Sequence, residues 1–170
     1  MPSFAHLSVP GASSTLRVID GRALNRSMAT VKRSALVPYP ASLMYQLVNK
    51  VENYPAFLPW CRSTRVHHRD ADQVRATIEI HKGPVRKSFT TVNRLQPNKM
   101  VEIRLVEGPF RRLEGYWRFE ALRDDACKVT LDLEFEFSGP LMSKLIGPVF
   151  NQIANTLVDS FCKRASETRV

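Results

Sequence analysis

Residues 128–137 read KVTLDLEFEF, and residues 140–165 read PLMSKLIGPVFNQIANTLVDSFCKRA. In the first stretch apolar residues alternate with polar ones, which predicts a strand with one buried face. In the second, apolar residues recur at every fourth position from Leu141 to Phe161, which predicts a long amphipathic helix. A sheet with one apolar face needs a cover, and we expect this helix to provide it.

The same alternation repeats upstream in runs that are separated by short turns containing Gly, Pro or Asn. The runs cover residues 74–80, 85–95, 101–105 and 113–119. Long alternating strands joined by short turns predict an antiparallel meander. A first strand over 31–37 and a helix over 41–51 precede it. We therefore predict an α+β fold in which a curved antiparallel sheet of about six to seven strands wraps around the C-terminal helix.

The stretch YPAFLPWC, residues 54–61, has three aromatic residues, two prolines and no charge. The prolines disfavour both a helix and a central strand, and a loop this apolar should not simply face water. We expect it to close the space between sheet and helix. Gly115 on the inner sheet face and Pro148 in the helix, where it would kink or break it, also favour a cavity that suits a hydrophobic ligand. The alternative is a filled core with an aromatic plug.

The chain has 170 residues, the size of one domain, and a net charge of +9. Such a charge suggests an anionic partner, either nucleic acid, ribosome or membrane surface, although it also serves solubility. Three cysteines without C-x-x-C spacing indicate a reduced compartment with neither disulfides nor a zinc site. No apolar run reaches the about 20 residues that span a bilayer.

Residues 1–27 are rich in Ser and Ala, with three arginines against one aspartate. This composition is similar to that of a mitochondrial transit peptide. We favour instead a poorly ordered extension ahead of Met28, because the folding pattern begins only at Val31. The predicted organisation is an extension over 1–27 and one domain over 28–170.

We find no pattern that predicts catalysis. Phosphate-binding glycine loops and a nucleophile elbow are missing from the sequence. His67 and His68 lack further ligands at metal-site spacing, so we interpret them as surface residues. Cys61 has only Arg62 as a basic neighbour, so we interpret it as a packed small residue. We predict a protein that is not an enzyme and holds no metal.

Three segments resemble the coenzyme Q-binding/RatA family of START-like domains, over residues 30–166. They are SALVPYPASLMYQLVNKVENYPAFLPWC (34–61), EGPFRRLEGYWRFEAL (107–122) and GPVFNQIANTLVDSFCKRA (147–165). The resemblance implies a helix-grip START-like fold with a cavity for a hydrophobic ligand. It is greatest to the bacterial branch, which implies a cytoplasmic protein, or a mitochondrial one if residues 1–27 are a transit peptide.

The first role that the resemblance implies is binding of ubiquinone, as a carrier that supports respiration. Burial of an isoprenoid tail gains about 0.8 kcal/mol per CH₂-sized group, so binding needs no special chemistry. We expect Tyr39 or Tyr54 to donate a hydrogen bond to a quinone carbonyl. The candidates to line the cavity are Phe57, Leu58, Trp60, Ile78, Phe89, Leu113, Trp117, Leu145, Val149, Phe150 and Ile153.

The alternative role is that of a toxin that binds the large ribosomal subunit and blocks subunit association. This role depends on charge. Arginines on the outer face of the sheet would bind phosphates if several of them lay close together. The candidates are Arg75, Arg86, Arg104, Arg111, Arg112 and Arg118. A mixed face is the other interpretation, because five glutamates point the same way, namely Glu79, Glu102, Glu114, Glu134 and Glu136. Transient contact with anionic lipid also fits a basic surface with an aromatic lid, whereas DNA is not expected as a partner.

Overall fold

The computed structural model describes residues 17–19, 22–24 and 28–168. Its strands are β1 (Arg17–Ile19), β2 (Arg22–Leu24), β3 (Ala29–Val37), β4 (Cys61–Arg69), β5 (Gln73–Lys82), β6 (Val85–Gln96), β7 (Met100–Glu107), β8 (Phe110–Arg123) and β9 (Ala126–Phe137). Its helices are α1 (Ala41–Asn49), a 3₁₀ helix (Val51–Ala56) and α2 (Pro140–Glu167). The predicted α+β fold is confirmed, with an antiparallel seven-stranded sheet and a long final helix.

The sheet has the strand order β3-β9-β8-β7-β6-β5-β4, so β4 to β9 form the predicted meander. The first strand, β3, pairs with the last one, β9, and β4 lies at the opposite edge. The chain between β3 and β4 must therefore cross the sheet, and α1 with the 3₁₀ helix makes this crossing. Shifts in register between β4 and β5, β6 and β7, and β8 and β9 add the local twist that curves the sheet.

The core lies between the inner face of the sheet and α2. From β9, Val129, Leu131 and Phe135 are fully buried, as the alternation predicts. From α2, Ile146 and Phe161 are buried to the same extent. Phe150 and Phe135 meet edge to face with their ring centroids 4.7 Å apart, which joins helix and sheet through aromatic packing.

The buried face of α2 differs from the predicted one in its first two turns. Leu141 and Leu145 are 67% and 54% exposed, and burial begins at Ile146. An α-helix turns by about 100° per residue, so a strict i, i+4 series drifts by about 40° at every step. Leu145 is thus about 80° away from Ile153 around the helix, and it faces solvent instead of the core.

The structure bears on two further expectations about the cavity. Pro148 does not break α2, and its position on the exposed side lets water reach the carbonyl that loses its hydrogen bond, while a kink at this residue stays a prediction. Gly115 opens no space inside the fold. A Cβ atom there would lie 2.1 Å from the carbonyl oxygen of Asp132 and 2.8 Å from the Cα atom of Leu133, so this glycine allows β8 and β9 to approach each other.

The predicted extension over 1–27 lies largely outside the described residues. Within it, β1 and β2 pair in antiparallel register, Arg17 opposite Leu24 and Ile19 opposite Arg22. Among the helices that the structure describes, none combines the length and the apolar character that crossing a membrane requires.

Candidate functional site

The loop over residues 54–61 folds back on the C-terminal half of α2. Its backbone tightens through hydrogen bonds from the Leu58 N–H to the Tyr54 carbonyl (2.9 Å) and from the Cys61 N–H to the Leu58 carbonyl (3.0 Å). The rings of Tyr54 and Phe57 meet Phe161 edge to face, at centroid distances of 5.4 and 5.2 Å. Tyr54, Leu58 and Cys61 are buried. The apolar loop is thus covered by α2 and closes one end of the core.

Next to this loop an apolar cavity of about 80 Å³ separates α2 from the sheet. The loop, α1, the inner strands and α2 all contribute to its wall. The lining residues are Val48, Tyr54, Trp60, Ile78, Phe89, Thr91, Asn93, Ile103, Leu113, Trp117, Leu133, Phe150, Ile153, Leu157 and Phe161.

The structure brings most of the predicted lining residues to this wall. They are Trp60, Ile78, Phe89, Leu113, Trp117, Phe150 and Ile153. Four other candidates lie elsewhere, and Leu145 among them is exposed to solvent, as described above. Leu58 is fully buried in the core, Phe57 packs on Tyr54 and Phe161, and Val149 packs at the edge of the core. A role of the lining residues in ligand binding remains a prediction.

Several lining residues were missed in the sequence. Ile103, Leu133 and Phe161 belong to the same alternating and helical patterns as the predicted lining residues. These patterns predict that the three side chains face the interior, but not that they lie next to the cavity. Thr91 and Asn93 lie on the inner face of β6, the face that also carries Phe89. Polar residues at inner positions of an apolar strand were the signal that could have identified them.

The polar groups of the cavity are few, and the Thr91 and Tyr54 hydroxyls both donate hydrogen bonds within the protein. The Thr91 hydroxyl donates to Oδ1 of Asn93 at 3.0 Å. The hydroxyl of Tyr54 donates to the carbonyl of Val48 and is therefore already engaged, and its donation to a quinone carbonyl stays a prediction. Tyr39 lies outside the cavity wall.

Burial keeps the ionisable groups near the cavity neutral. It raises the pKa of Tyr54 far above its ordinary value, and it raises the pKa of the Cys61 thiol to about 11. The thiol stays protonated near neutral pH and donates to the carbonyl of Ser63 at 3.7 Å. The interpretation of Cys61 as a packed residue is therefore confirmed.

The outer face of β7, β8 and β9 is the mixed face that the glutamates predicted. Arg104 contacts Glu102 at 2.8 Å, Arg111 contacts Glu136 at 3.4 Å, and Arg112 bonds Glu114. Arg118 lies over the ring of Tyr116, 4.4 Å from its centroid. On this half of the sheet the mixed-face interpretation is therefore confirmed, and the candidate arginines there do not form a free patch.

The two adjacent histidines lie at the surface, as predicted. Nε2 of His67 is 2.7 Å from the Thr77 hydroxyl, and Nε2 of His68 is 2.7 Å from an Asp70 carboxylate oxygen. In the described part of the chain, no three His, Cys, Asp or Glu side chains are grouped so that they could hold a metal ion.

The chain belongs to the polyketide cyclase/dehydrase and lipid transport family, whose sequence model matches residues 37–162. Its fold also occurs in solved structures of other proteins. A START superfamily protein from Mycobacterium smegmatis matches it with a TM-score of 0.64 at 20% identity, over 81% of this chain and 97% of that protein.

Two named relatives differ in their similarity to the chain. The "Ribosome association toxin RatA" of Pseudomonas aeruginosa is 47% identical over 137 residues, which cover 81% of this chain and 95% of that protein. The "Coenzyme Q-binding protein COQ10 homolog B, mitochondrial" of Xenopus laevis is 29% identical over 136 residues, which cover 78% of this chain and 56% of that protein. The expected membership of the coenzyme Q-binding/RatA family is thereby confirmed.

Proposed function

We propose that this protein binds the large ribosomal subunit and blocks its association with the small subunit. The observation that carries the proposal is the 47% identity to a protein named as a ribosome association toxin, over almost the whole length of that relative. The similarity to the coenzyme Q-binding relative is much lower, at 29%. The order of the two roles expected from the sequence is therefore reversed.

The cavity supports this order. Pockets that enclose a small-molecule ligand usually have volumes of about 300 to 1,000 Å³. The space here is about 80 Å³, which is several times too small for a quinone ring with its isoprenoid tail. An action through the protein surface requires no such space.

The chemistry of the cavity also favours binding over catalysis. Its wall carries the hydrogen-bonded pair Thr91 and Asn93 and the engaged hydroxyl of Tyr54, and no charged side chain. General acid–base catalysis needs a group whose pKa lies near the working pH. Burial moves the pKa of Tyr54 away from that range.

Sedimentation of bacterial ribosomes through a sucrose gradient tests the proposal. Purified protein is mixed with separated subunits at a magnesium concentration that normally lets them associate. We expect the subunits to stay apart and the protein to sediment with the large one. Full reassociation in the presence of excess protein, with the protein left at the top of the gradient, would refute the proposal.

A second candidate function, binding of a hydrophobic ligand such as ubiquinone, is favoured by the apolar wall of the cavity. Because the cavity is small, this function requires α2 or the loop over 54–61 to move outward. Each CH₂-sized group of the ligand that becomes buried would contribute about 0.8 kcal/mol of binding free energy, which would offset the cost of that movement.

Native mass spectrometry of protein purified without detergent tests this second function. Copurifying ubiquinone that is lost in Trp60→Ala and kept in Leu145→Ala would support it, because Trp60 lines the cavity and Leu145 faces solvent. If wild-type protein carries no such ligand and gains none from quinone-containing vesicles, the second function is excluded.

A further inference from the structure

We propose that the outer face of β4, β5 and β6 contacts the phosphates of ribosomal RNA, through Arg65, Arg75 and Arg94. This inference rests on the proposed ribosomal function and assigns it to one surface of the molecule. We call this surface the arginine face, and it is defined by these three residues.

The edge strand β4 carries an unusual charge composition. Its sequence, CRSTRVHHR over Cys61–Arg69, has three arginines, two histidines and no acid. One of the arginines, Arg69, is paired with Glu52 at 2.7 Å, whereas Arg62 and Arg65 have no carboxylate within 4.0 Å among the described residues. In the described ranges of the chain, β4 is the last strand on this side of the sheet, and no further strand covers it.

The strand register arranges the three arginines in a diagonal row. Arg65 lies opposite Thr77, two residues from Arg75 on β5. Arg94 on β6 lies opposite Gln73, also two residues from Arg75. Diagonal neighbours of this kind are about 7–8 Å apart. All three side chains are exposed, so one run of phosphates can contact them in succession.

The arginine face differs from the other half of the sheet in its pairing. Arg104, Arg111 and Arg112 each contact a glutamate, so their charge is already compensated. Within the part of the chain that the structure describes, Arg65, Arg75 and Arg94 form no ion pair within 4.0 Å. Free guanidinium groups keep their full capacity for charge-assisted bonds to phosphate oxygens.

Three acids near the arginine face have other partners. Glu79 accepts a hydrogen bond from the Ser63 hydroxyl at 2.8 Å, and Asp70 is bonded to His68 at 2.7 Å. Glu102 lies opposite Arg94 in the register but contacts Arg104. None of them forms an ion pair with the three arginines. Glu79 is the only acid in β4, β5 and β6, so this part of the sheet presents net positive charge to an approaching strand of RNA.

Charged residues on an edge strand have another known use, because they prevent two sheets from pairing edge to edge. That use needs a charge of either sign on β4 alone. It gives no reason for unpaired arginines on the interior strands β5 and β6. Arg75 and Arg94 therefore favour a phosphate-binding surface over edge protection.

The test compares two triple variants that lose the same charge from the same sheet. One is Arg65→Gln/Arg75→Gln/Arg94→Gln, and the other is Arg104→Gln/Arg111→Gln/Arg112→Gln. Binding to isolated large subunits is measured by cosedimentation between about 0.05 and 0.2 M salt, the range over which phosphate contacts lose most affinity. Circular dichroism confirms that both variants are folded.

We expect the arginine-face variant to lose at least about tenfold in affinity, and the slope of log K against log salt to shrink by about 2 to 3. The control variant should stay within a few-fold of wild type. If wild type binds and the arginine-face variant binds equally well, the inference is wrong and the proposed function stands. If wild type does not bind the subunit at all, the proposed function itself fails.

A charge-reversed variant separates phosphate contact from edge protection and also serves if the triple variant fails to fold. Arg65→Glu keeps a charge on the edge strand β4 and reverses its sign, and Arg75→Glu reverses the charge on the neighbouring strand β5. We expect it to keep the oligomeric state of wild type and to lose ribosome binding more completely than the glutamine variant. Retained binding would overturn the inference.

Discussion

Gly115 shows how far a single residue controls the approach of two strands. It lies on β8, opposite Leu133 of β9, and a side chain there would point into the neighbouring backbone. A contact of 2.1 Å with a carbonyl oxygen is well inside the van der Waals distance, so the backbone of β8 or β9 would have to move. Gly147 on α2 is the opposite case, because the nearest atom to a Cβ there is 3.7 Å away.

We predict that Gly115→Ala lowers the free energy of unfolding by about 1 to 3 kcal/mol, since a strand rather than a flexible side chain must shift. The matched change Gly147→Ala should be neutral or stabilise by about 0.5 to 1 kcal/mol, because alanine restricts the unfolded chain and fits the helix. Urea-induced unfolding followed by circular dichroism measures both. Equal effects of the two substitutions would contradict the strand-contact explanation for Gly115.

At the scale of the element, α2 has apolar residues that follow the helical pattern but do not lie on its buried face. Leu145 and Ile146 are adjacent in sequence, yet Leu145 is 54% exposed and Ile146 is 1% exposed. The sheet meets α2 on the side of Ile146, Phe150 and Ile153. The first apolar positions of the helix consequently extend past the edge of the core.

This arrangement predicts very different costs for two neighbouring truncations. Ile146→Ala should lower the free energy of unfolding by about 2 to 5 kcal/mol, because it leaves a cavity in the core. Leu145→Ala should change it by less than about 0.5 kcal/mol, since a surface substitution removes little buried area. Chemical denaturation of both variants is the measurement. A larger loss for Leu145→Ala would mean that this side chain is covered after all.

At the scale of the whole molecule, the cavity limits both stability and function. The space of about 80 Å³ between α2 and the sheet would lower stability by about 2 kcal/mol if it stayed empty. A space of this size is large enough to lower the stability of the fold, but it is smaller than the pockets that usually hold organic ligands. We therefore place the proposed function on the surface, where the arginine face offers charge that the fold itself does not use.

The cavity predicts that a larger side chain is tolerated at its wall and not elsewhere in the core. Val48 lines it, whereas Val129 is fully buried in packed core. Val48→Ile should stabilise by up to about 0.8 kcal/mol, because the extra methylene enters existing space. The same change at Val129 should destabilise by about 1 to 3 kcal/mol through overpacking. If thermal and urea unfolding show the same sign for both variants, the cavity is not open in solution.

Much of the fold was predictable because its signals are local. The alternation in 128–137 and in the upstream runs depends only on neighbouring residues, and each run became a strand with the expected inner face. The site was predictable only in part. Trp60, Phe89 and Trp117 reached the cavity, while Leu58 and Phe57 became packed core, because both groups share the same apolar composition.

The sequence alone determined the kinds of element, their order and the need for an apolar cover over the sheet, since hydrophobic periodicity is written within each segment. Only the tertiary structure decided which arginines are free. Arg75 and Arg104 look alike in the sequence, and both alternate with apolar residues on outward strand positions. Their difference comes from strand order and register, which bring glutamates beside Arg104 and leave Arg75 between Arg65 and Arg94. Ion pairing depends on distances across the sheet, and a linear pattern does not contain them.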